Sequence, residues 1–348
     1  MRFTFLALTI AELFSFTLKA QYSCKTSHVN PTFFLREVDS LRKKMQYNDI
    51  ETLLKNRIES DSVKFWHYYQ LACVRSQQGD TAEPFRLLYK HIDLKVYADD
   101  ILTDTDFEPL QNTQQWQKLR DTLYVCYLSK YPDIENKQLS LKLWLLGIDD
   151  QRTRTLKRNW KKPFPTIGSK EWSLLNKVFL KETKEWANFI MEFVRDDQWP
   201  TYSMVGAEAS EAAMLIIQHC GNNRYLKKSL PLLKVAAEKG EVSKIMYANM
   251  LDRYLIQSNK RQIYGTQIIG EGSYSTGSMI MFFPPIEDEA NVNIRRVAMG
   301  MESIEEWAQS MGFTYQYKSD NENKRYFKAY REARRNGHLI KSIGVSQK

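Results

Sequence analysis

Along almost the whole chain, apolar residues recur at spacings of three and four, the repeat of one helix face, which leaves little room for an extended sheet. The pattern shortens only over residues 263–269 and 278–283, two brief apolar runs joined by GEGSYSTG, which read as one β-hairpin. Fourteen Gly and ten Pro among 348 residues are too few for a turn-rich β-sandwich, and the length suffices for two domains with separate cores. The fold class expected is mainly α: antiparallel helical hairpins first, then an α-helical domain carrying one small β-hairpin.

Residues 1–20 have another character. Arg2 precedes an apolar run over residues 3–18 and Ala20 offers a small residue for cleavage, so the segment reads as a signal peptide for export, periplasmic or secreted. The run is too short for a bilayer and is interrupted by Glu12, and no later stretch reaches about eighteen uninterrupted apolar residues, so no transmembrane segment is expected. Cys24 does not follow a small-residue lipid-attachment pattern. The pairing of Cys24, Cys73, Cys126 and Cys220 stays open, beside the reading of Cys73 and Cys126 as small buried helix residues. The net charge of +9 is concentrated in residues 151–162, with six Lys or Arg and no acid, and in the segment from Lys318 onward. Both read as solvated helix faces, and no specific nucleic-acid partner is expected.

Residues 21–130 are expected to form the first domain. Phe34, Val38, Leu41 and Met45 mark one helix, and Leu53, Leu54 and Ile58 a second. A helix from Val63, carrying Tyr69, Leu71, Ala72 and Val74, breaks at Gly79-Asp80, and another starts near Ala82 with Pro84 in its first turn, where proline sacrifices no hydrogen bond. Phe107, Leu110, Trp116 and Leu119 then pack onto that hairpin. Over residues 60–125 this order resembles a tetratricopeptide helix–turn–helix with the segment that closes such arrays; an unrelated antiparallel hairpin is the alternative. The resemblance implies a groove for a peptide or protein partner.

Tyr131-Pro132-Asp133 marks the boundary to a second domain, residues 131–315, followed by a basic helical tail, residues 316–348. Residues 139–160 read as one long helix. Ser169 is expected to cap the next, and a shorter helix is expected over residues 186–194. Gly206 opens a helix over residues 207–219, Pro231 is expected in the first turn of the following one, and Ser243 caps a third that runs to Gln257. Ser303 and Glu306 stand at capping-box spacing.

Polar residues of chemical interest crowd residues 199–267. The histidines are scattered and no CxxC occurs, so no metal site is expected; the glycine loop lacks a P-loop ending, and no cofactor is expected. His219 with Asp252 supplies a base and an orienting carboxylate, Arg253 a cation, Gln267 an amide donor, and Tyr264 and Trp199 ring surfaces. Each has a structural alternative. His219 can satisfy helix-terminal carbonyls, Asp252 can accept hydrogen bonds from the Tyr264-Gly265-Thr266 turn, Arg253 can be solvated, and the two rings can be core.

Several of these residues also carry a resemblance. They are Asp150-Gln151 with Arg154, Trp199-Pro200-Thr201, Val205-Gly206, Gln218-His219, Leu230-Pro231, Gly240-Glu241-Val242, Asp252-Arg253, Tyr264-Gly265-Thr266-Gln267, Pro285-Ile286-Glu287-Asp288 and Arg295-Arg296. From about residue 139 to 313 the chain resembles an uncharacterised bacterial family, domain of unknown function 6624, departing from it where Cys220-Gly221 replaces an expected acidic residue. Asp150, Gln151 and Arg154 thereby join the ligand-binding candidates. Two functions are carried forward: an exported binding or scaffold protein with a ligand-binding module, or a hydrolase-type enzyme using His219, Asp252 and Arg253 on a small anionic substrate.

Overall fold

The computed structural model describes residues 41, 44, 46–60, 64–93, 100–158, 170–273 and 278–336. The expected signal peptide, Cys24, the Ser169 cap and most of the helix marked by Phe34 to Met45 lie outside them. The described residues are mainly helical, with one two-stranded sheet. No helix among them is long and apolar enough to cross a membrane, and no disulfide joins Cys73, Cys126 and Cys220 to one another. The chain divides into two compact units between Phe179 and Leu180, and the residue 130/131 boundary falls inside the first.

The first unit opens with α1 (Tyr47–Ser60), α2 (Lys64–Gln77) and α3 (Glu83–Asp93). Gly79 at φ +84° lets the chain leave α2, and the Asp80 carboxylate accepts the N–H groups of Ala82 and Glu83 at 2.9 and 3.0 Å, which starts α3. Pro84 sits in the first turn of α3, as its missing N–H allows. After the short α4 (Asp100–Thr103), Asp104 caps a 3-10 turn (Thr105–Leu110) and accepts the Tyr69 hydroxyl at 2.5 Å, tying the turn to α2. Phe107 packs edge-on against Tyr69 and close to Trp116 of α5 (Gln114–Lys130). Phe107, Leu110, Trp116 and Leu119 are all buried, the packing anticipated from their spacing. Helix α6 (Lys137–Arg158) completes the described part of this unit up to α7, its Trp144 stacked on Tyr127 at 5.5 Å.

Helix α7 (Lys170–Arg195) is one continuous helix where two were expected, since nothing near Trp186 interrupts its hydrogen bonding. The second unit continues through α8 (Tyr202–Val205), α9 (Ala207–His219), α10 (Asn223–Glu238) and α11 (Lys244–Gln257). Pro231 lies inside α10 and not in its first turn. Asn222 caps that helix further upstream by accepting the Arg224 N–H, so helix formation precedes the proline and the Pro231 position forgoes one helical hydrogen bond.

The hairpin is β1 (Ile269–Ser273) and β2 (Ser278–Phe282), antiparallel, with Ile269 opposite Phe282 and Ser273 opposite Ser278. It begins at the last residue of the first expected strand, and GEGS belongs to the ladder and not to the loop. Residues 263–267 stay out of it because side chains below them have taken their N–H groups, as described next. Helices α12 (Val292–Ala298), α13 (Ile304–Ser310) and α14 (Asp320–Asn336) follow, and Ser303 and Glu306 form the expected capping box. Tyr330 of α14 packs with Ile269 and Phe282, and the Tyr326 hydroxyl donates to the Phe283 carbonyl at 2.7 Å, so the basic tail docks on the hairpin.

Candidate functional site

The polar residues of the second unit meet around one turn. Helix α11, capped by Ser243, buries Met246, Ala248, Asn249, Met250 and Asp252 along one side. Asn259 at φ +57° reverses the chain, and residues 263–266 return over Asp252. Oδ1 of Asp252 accepts the Ile263 N–H at 2.6 Å, and both oxygens share the Tyr264 N–H at 3.2 and 3.1 Å. Oδ2 also accepts the Thr266 N–H at 3.0 Å and the Thr266 hydroxyl at 2.9 Å. Every hydrogen bond of this fully buried carboxylate therefore goes to the turn.

The turn's carbonyls face the other way, onto α12. Arg296, 3 % exposed, donates Nη1 to the carbonyls of Tyr264 and Gly265 at 2.9 and 3.3 Å, and Nε to that of Glu302 at 2.7 Å. Arg295 donates Nε to the Ile263 carbonyl at 2.9 Å and Nη2 to the carbonyls of Glu287 and Asp288. A carboxylate thus holds the N–H side of the turn and two guanidinium groups its C=O side. Gly265, at φ +65°, has no room for a side chain: a Cβ there would lie 2.6 Å from Cδ1 of Ile304.

A second brace sits beside the first. Gln262 accepts the Gln267 N–H at 3.0 Å through Oε1 and donates Nε2 to the Gln267 and Pro284 carbonyls. Gln267 in turn donates to the Asn249 carbonyl at 3.3 Å and to the Thr266 hydroxyl at 3.2 Å, which joins the turn back to α11.

The electrostatics follow from burial. Desolvation pushes the Asp252 carboxyl above the usual range, opposed by its N–H donors, and pulls the Arg296 guanidinium below its usual value. Burial raises the Tyr264 phenol too, with Asp252 adding to the rise and Arg295 opposing it.

Two further candidates of the second unit, His219 and Trp199, contribute none of these hydrogen bonds. His219 ends α9 at 9 % exposure and takes no part in the hydrogen bonding of Asp252. The neighbouring Cys220 donates its thiol to the Ile217 carbonyl; burial raises its pKa while Arg253 draws it back down. Trp199 is buried in the core, and the Pro200 carbonyl beside it accepts the Ser210 hydroxyl at 2.5 Å. Asp150, Gln151 and Arg154 belong to the first unit, where Arg154 clasps the buried Asp150 through Nε and Nη2 at 3.1 and 3.0 Å and Gln151 donates to it at 3.0 Å.

One residue that sequence reasoning left off the site is Glu211. It lies on α9 and accepts the Tyr202 hydroxyl at 3.1 Å; burial, assisted by Glu208 three residues earlier, pushes its carboxyl up to about 7. The signal available in the sequence was the Glu208/Glu211 spacing on a helix with an apolar side. Among the described residues, Cys73, Asp104 and Asp106 have metal-ligating atoms within 4.8 Å of one another, but both Asp104 oxygens already accept, from Tyr69 and from the Asp106 N–H.

The turn, its two clamps and the hairpin define an α-helical module closed by a braced loop. The model of the family described as "Family of unknown function (DUF6624)" matches residues 181–320, so this segment of the chain is similar to that family. Asp150, Gln151 and Arg154 lie before the matched segment. No curated protein and no solved structure matches the chain.

Proposed function

We propose that the protein is an exported binding or scaffold protein: helices before residue 130 present a surface to a peptide or protein, and the second unit is a ligand-binding or structural module. The observation that supports this reading is the saturation of Asp252. A general base needs its orienting carboxylate within hydrogen-bond reach, and Asp252 directs all its bonds to the backbone and hydroxyl of residues 263–266. The motif residues Tyr264, Gly265, Thr266, Gln267, Arg295 and Arg296 likewise bond to one another's backbone, which is the work of a platform and not of a proton relay.

Export is tested by the mass of the mature protein, expected to begin at Gln21. Binding is tested by probing an array of unstructured peptides with the mature full-length chain. Saturable binding is expected, and it should survive His219→Ala. Turnover of small ester, amide or phosphate substrates that disappears in His219→Ala, with no peptide bound, would overturn the proposal. The hydrolase reading keeps support from one observation, the Glu211 carboxyl at about 7, a value suited to proton transfer near neutrality. Loss of any such turnover in Glu211→Gln would favour it.

A further inference from the structure

The first unit contains a polar defect that its described residues do not resolve. Gln111 closes the 3-10 turn after Leu110 and is only 8 % exposed, yet among the described residues neither Oε1 nor Nε2 of its carboxamide has a hydrogen-bond partner. Arg152 of α6 gives Nη2 to the Glu108 carboxylate at 2.9 and 3.1 Å, while its buried Nε has none. Both side chains line one pocket of about 50 Å³, together with Leu102, Trp116, Arg120 and Ile148. A buried polar atom left unmade costs about 1–3 kcal/mol, so such atoms are rare in native proteins. Three of them belong to two residues that line the same opening.

The stranded atoms are two donors and one acceptor, so what completes them offers two acceptor positions and one donor. A carboxamide matches all three. Its carbonyl oxygen has two lone pairs, one for Gln111 Nε2 and one for Arg152 Nε, and its N–H serves Gln111 Oε1. A carboxylate would set oxygen against Oε1, and an ammonium group would meet two donors. Reversing the Gln111 amide about its last bond still leaves one donor and one acceptor, so the match holds either way. The walls from Leu102, Trp116 and Ile148 suit the apolar substituents on either side of an amide. We infer that this pocket is a recognition site for the carboxamide of a peptide ligand, held by Gln111 and Arg152 between the 3-10 turn, α5 and α6. The inference rests on the reading of the helices before residue 130 as the peptide-binding part, and adds α6 to it as one wall of the pocket.

The test titrates the full-length mature chain with small amides and follows side-chain amide and indole signals by NMR. N-methylacetamide stands in for a backbone peptide group, acetamide for an Asn or Gln side chain, and acetate and N,N-dimethylacetamide for ligands lacking the N–H. Saturable shifts are expected with an amide bearing N–H, at least about tenfold weaker with the two controls and in Gln111→Leu or Arg152→Lys. Arg152→Lys keeps the charge opposite Glu108 and removes the Nε donor. Tighter binding of N-methylacetamide assigns the source to backbone, and tighter binding of acetamide assigns it to side chains. Gln111→Leu should also match or exceed the wild-type thermal midpoint, because it removes two stranded polar atoms. No saturable shift with either amide, equal binding by Gln111→Leu, or a midpoint lowered by several degrees in that variant would each overturn the inference. Peptides bound without any effect of Gln111→Leu would sink the pocket and leave the wider peptide-binding reading standing. Amides bound in the pocket with no peptide bound anywhere would do the reverse.

Discussion

Asp252→Ala removes one carboxylate and strands four donors: the N–H groups of Ile263, Tyr264 and Thr266 and the Thr266 hydroxyl. Thr266 is 5 % exposed, so its two donors lose their partner with no water to replace it, whereas Ile263 and Tyr264 are half-buried and partly recover. At about 1–3 kcal/mol for each fully buried donor and less for the others, the loss comes to about 3–5 kcal/mol. The Arg296 guanidinium also loses one of the three carboxylates, Glu302, Asp252 and Glu305, that favour its charged form. For a unit of this size a loss of about 4 kcal/mol lowers the thermal midpoint by roughly 10 °C. Urea unfolding followed by far-UV circular dichroism gives the free energy, and an unchanged denaturant slope shows that the denatured state has not altered. Asp252→Asn should fall between, since one oxygen still accepts while the new NH₂ group opposes a donor. A loss below about 1 kcal/mol in Asp252→Ala would refute the claim that this carboxylate holds the turn, and would free it for chemistry.

Three further outcomes follow from the same geometry. Gly265→Ala combines a left-handed backbone with a Cβ 2.6 Å from Ile304 Cδ1 and should cost about 2–4 kcal/mol; a thermal midpoint within a degree or two of wild type would contradict it. Glu211 has its folded pKa raised from 4.5 to about 7 by burial, so its contribution to stability is full below 4.5 and is lost as pH rises through 7. That span corresponds to about 3 kcal/mol, so urea midpoints should fall between pH 5 and 8 in the wild type and fall less in Glu211→Gln, and parallel curves would refute the assignment. Ser303→Ala breaks the capping box of α13 and should cost about 1 kcal/mol by urea unfolding, with no loss expected if the cap were merely a surface contact.

How far the sequence reaches is visible at particular residues. Helix caps were legible because they are local: Ser243 and the Ser303/Glu306 pair act within one turn of themselves. The inward placement of Asp252 was legible from its register with Ile245, Ala248 and Leu255. The hairpin register was not, because residues 263–269 carry the apolar pattern of a strand while their N–H groups bond to Asp252 and Gln262. That competition is between a ladder and two side chains distant in sequence, and no local propensity reports it. Glu211 escaped for a related reason: its raised pKa comes chiefly from burial, which its own helix does not display, and the Tyr202 hydroxyl opposes that rise.

The crowding of polar residues between 199 and 267 admits two explanations that make different claims about motif residues. In a reaction centre the side chains converge on empty space and leave some of their bonding capacity for a substrate. Around Asp252 they converge on a main-chain turn, and the matching runs to the atom: N–H groups to one carboxylate, carbonyls to two guanidinium groups, and an amide bridging each end of residues 262–267. Asp252, Gly265, Thr266, Arg295 and Arg296 therefore form a single unit, in which replacing Asp252, Thr266, Arg295 or Arg296 leaves partners stranded on the others and replacing Gly265 drives a Cβ into Ile304. Residues that hold ligands should instead carry unused capacity, and the motif's density is a poor guide to them. In the first unit, outside the matched family segment, Gln111 and Arg152 have that capacity. The most recognisable residues of the chain are then the ones that hold its second unit together, and the search for its ligand belongs where hydrogen bonds are still missing.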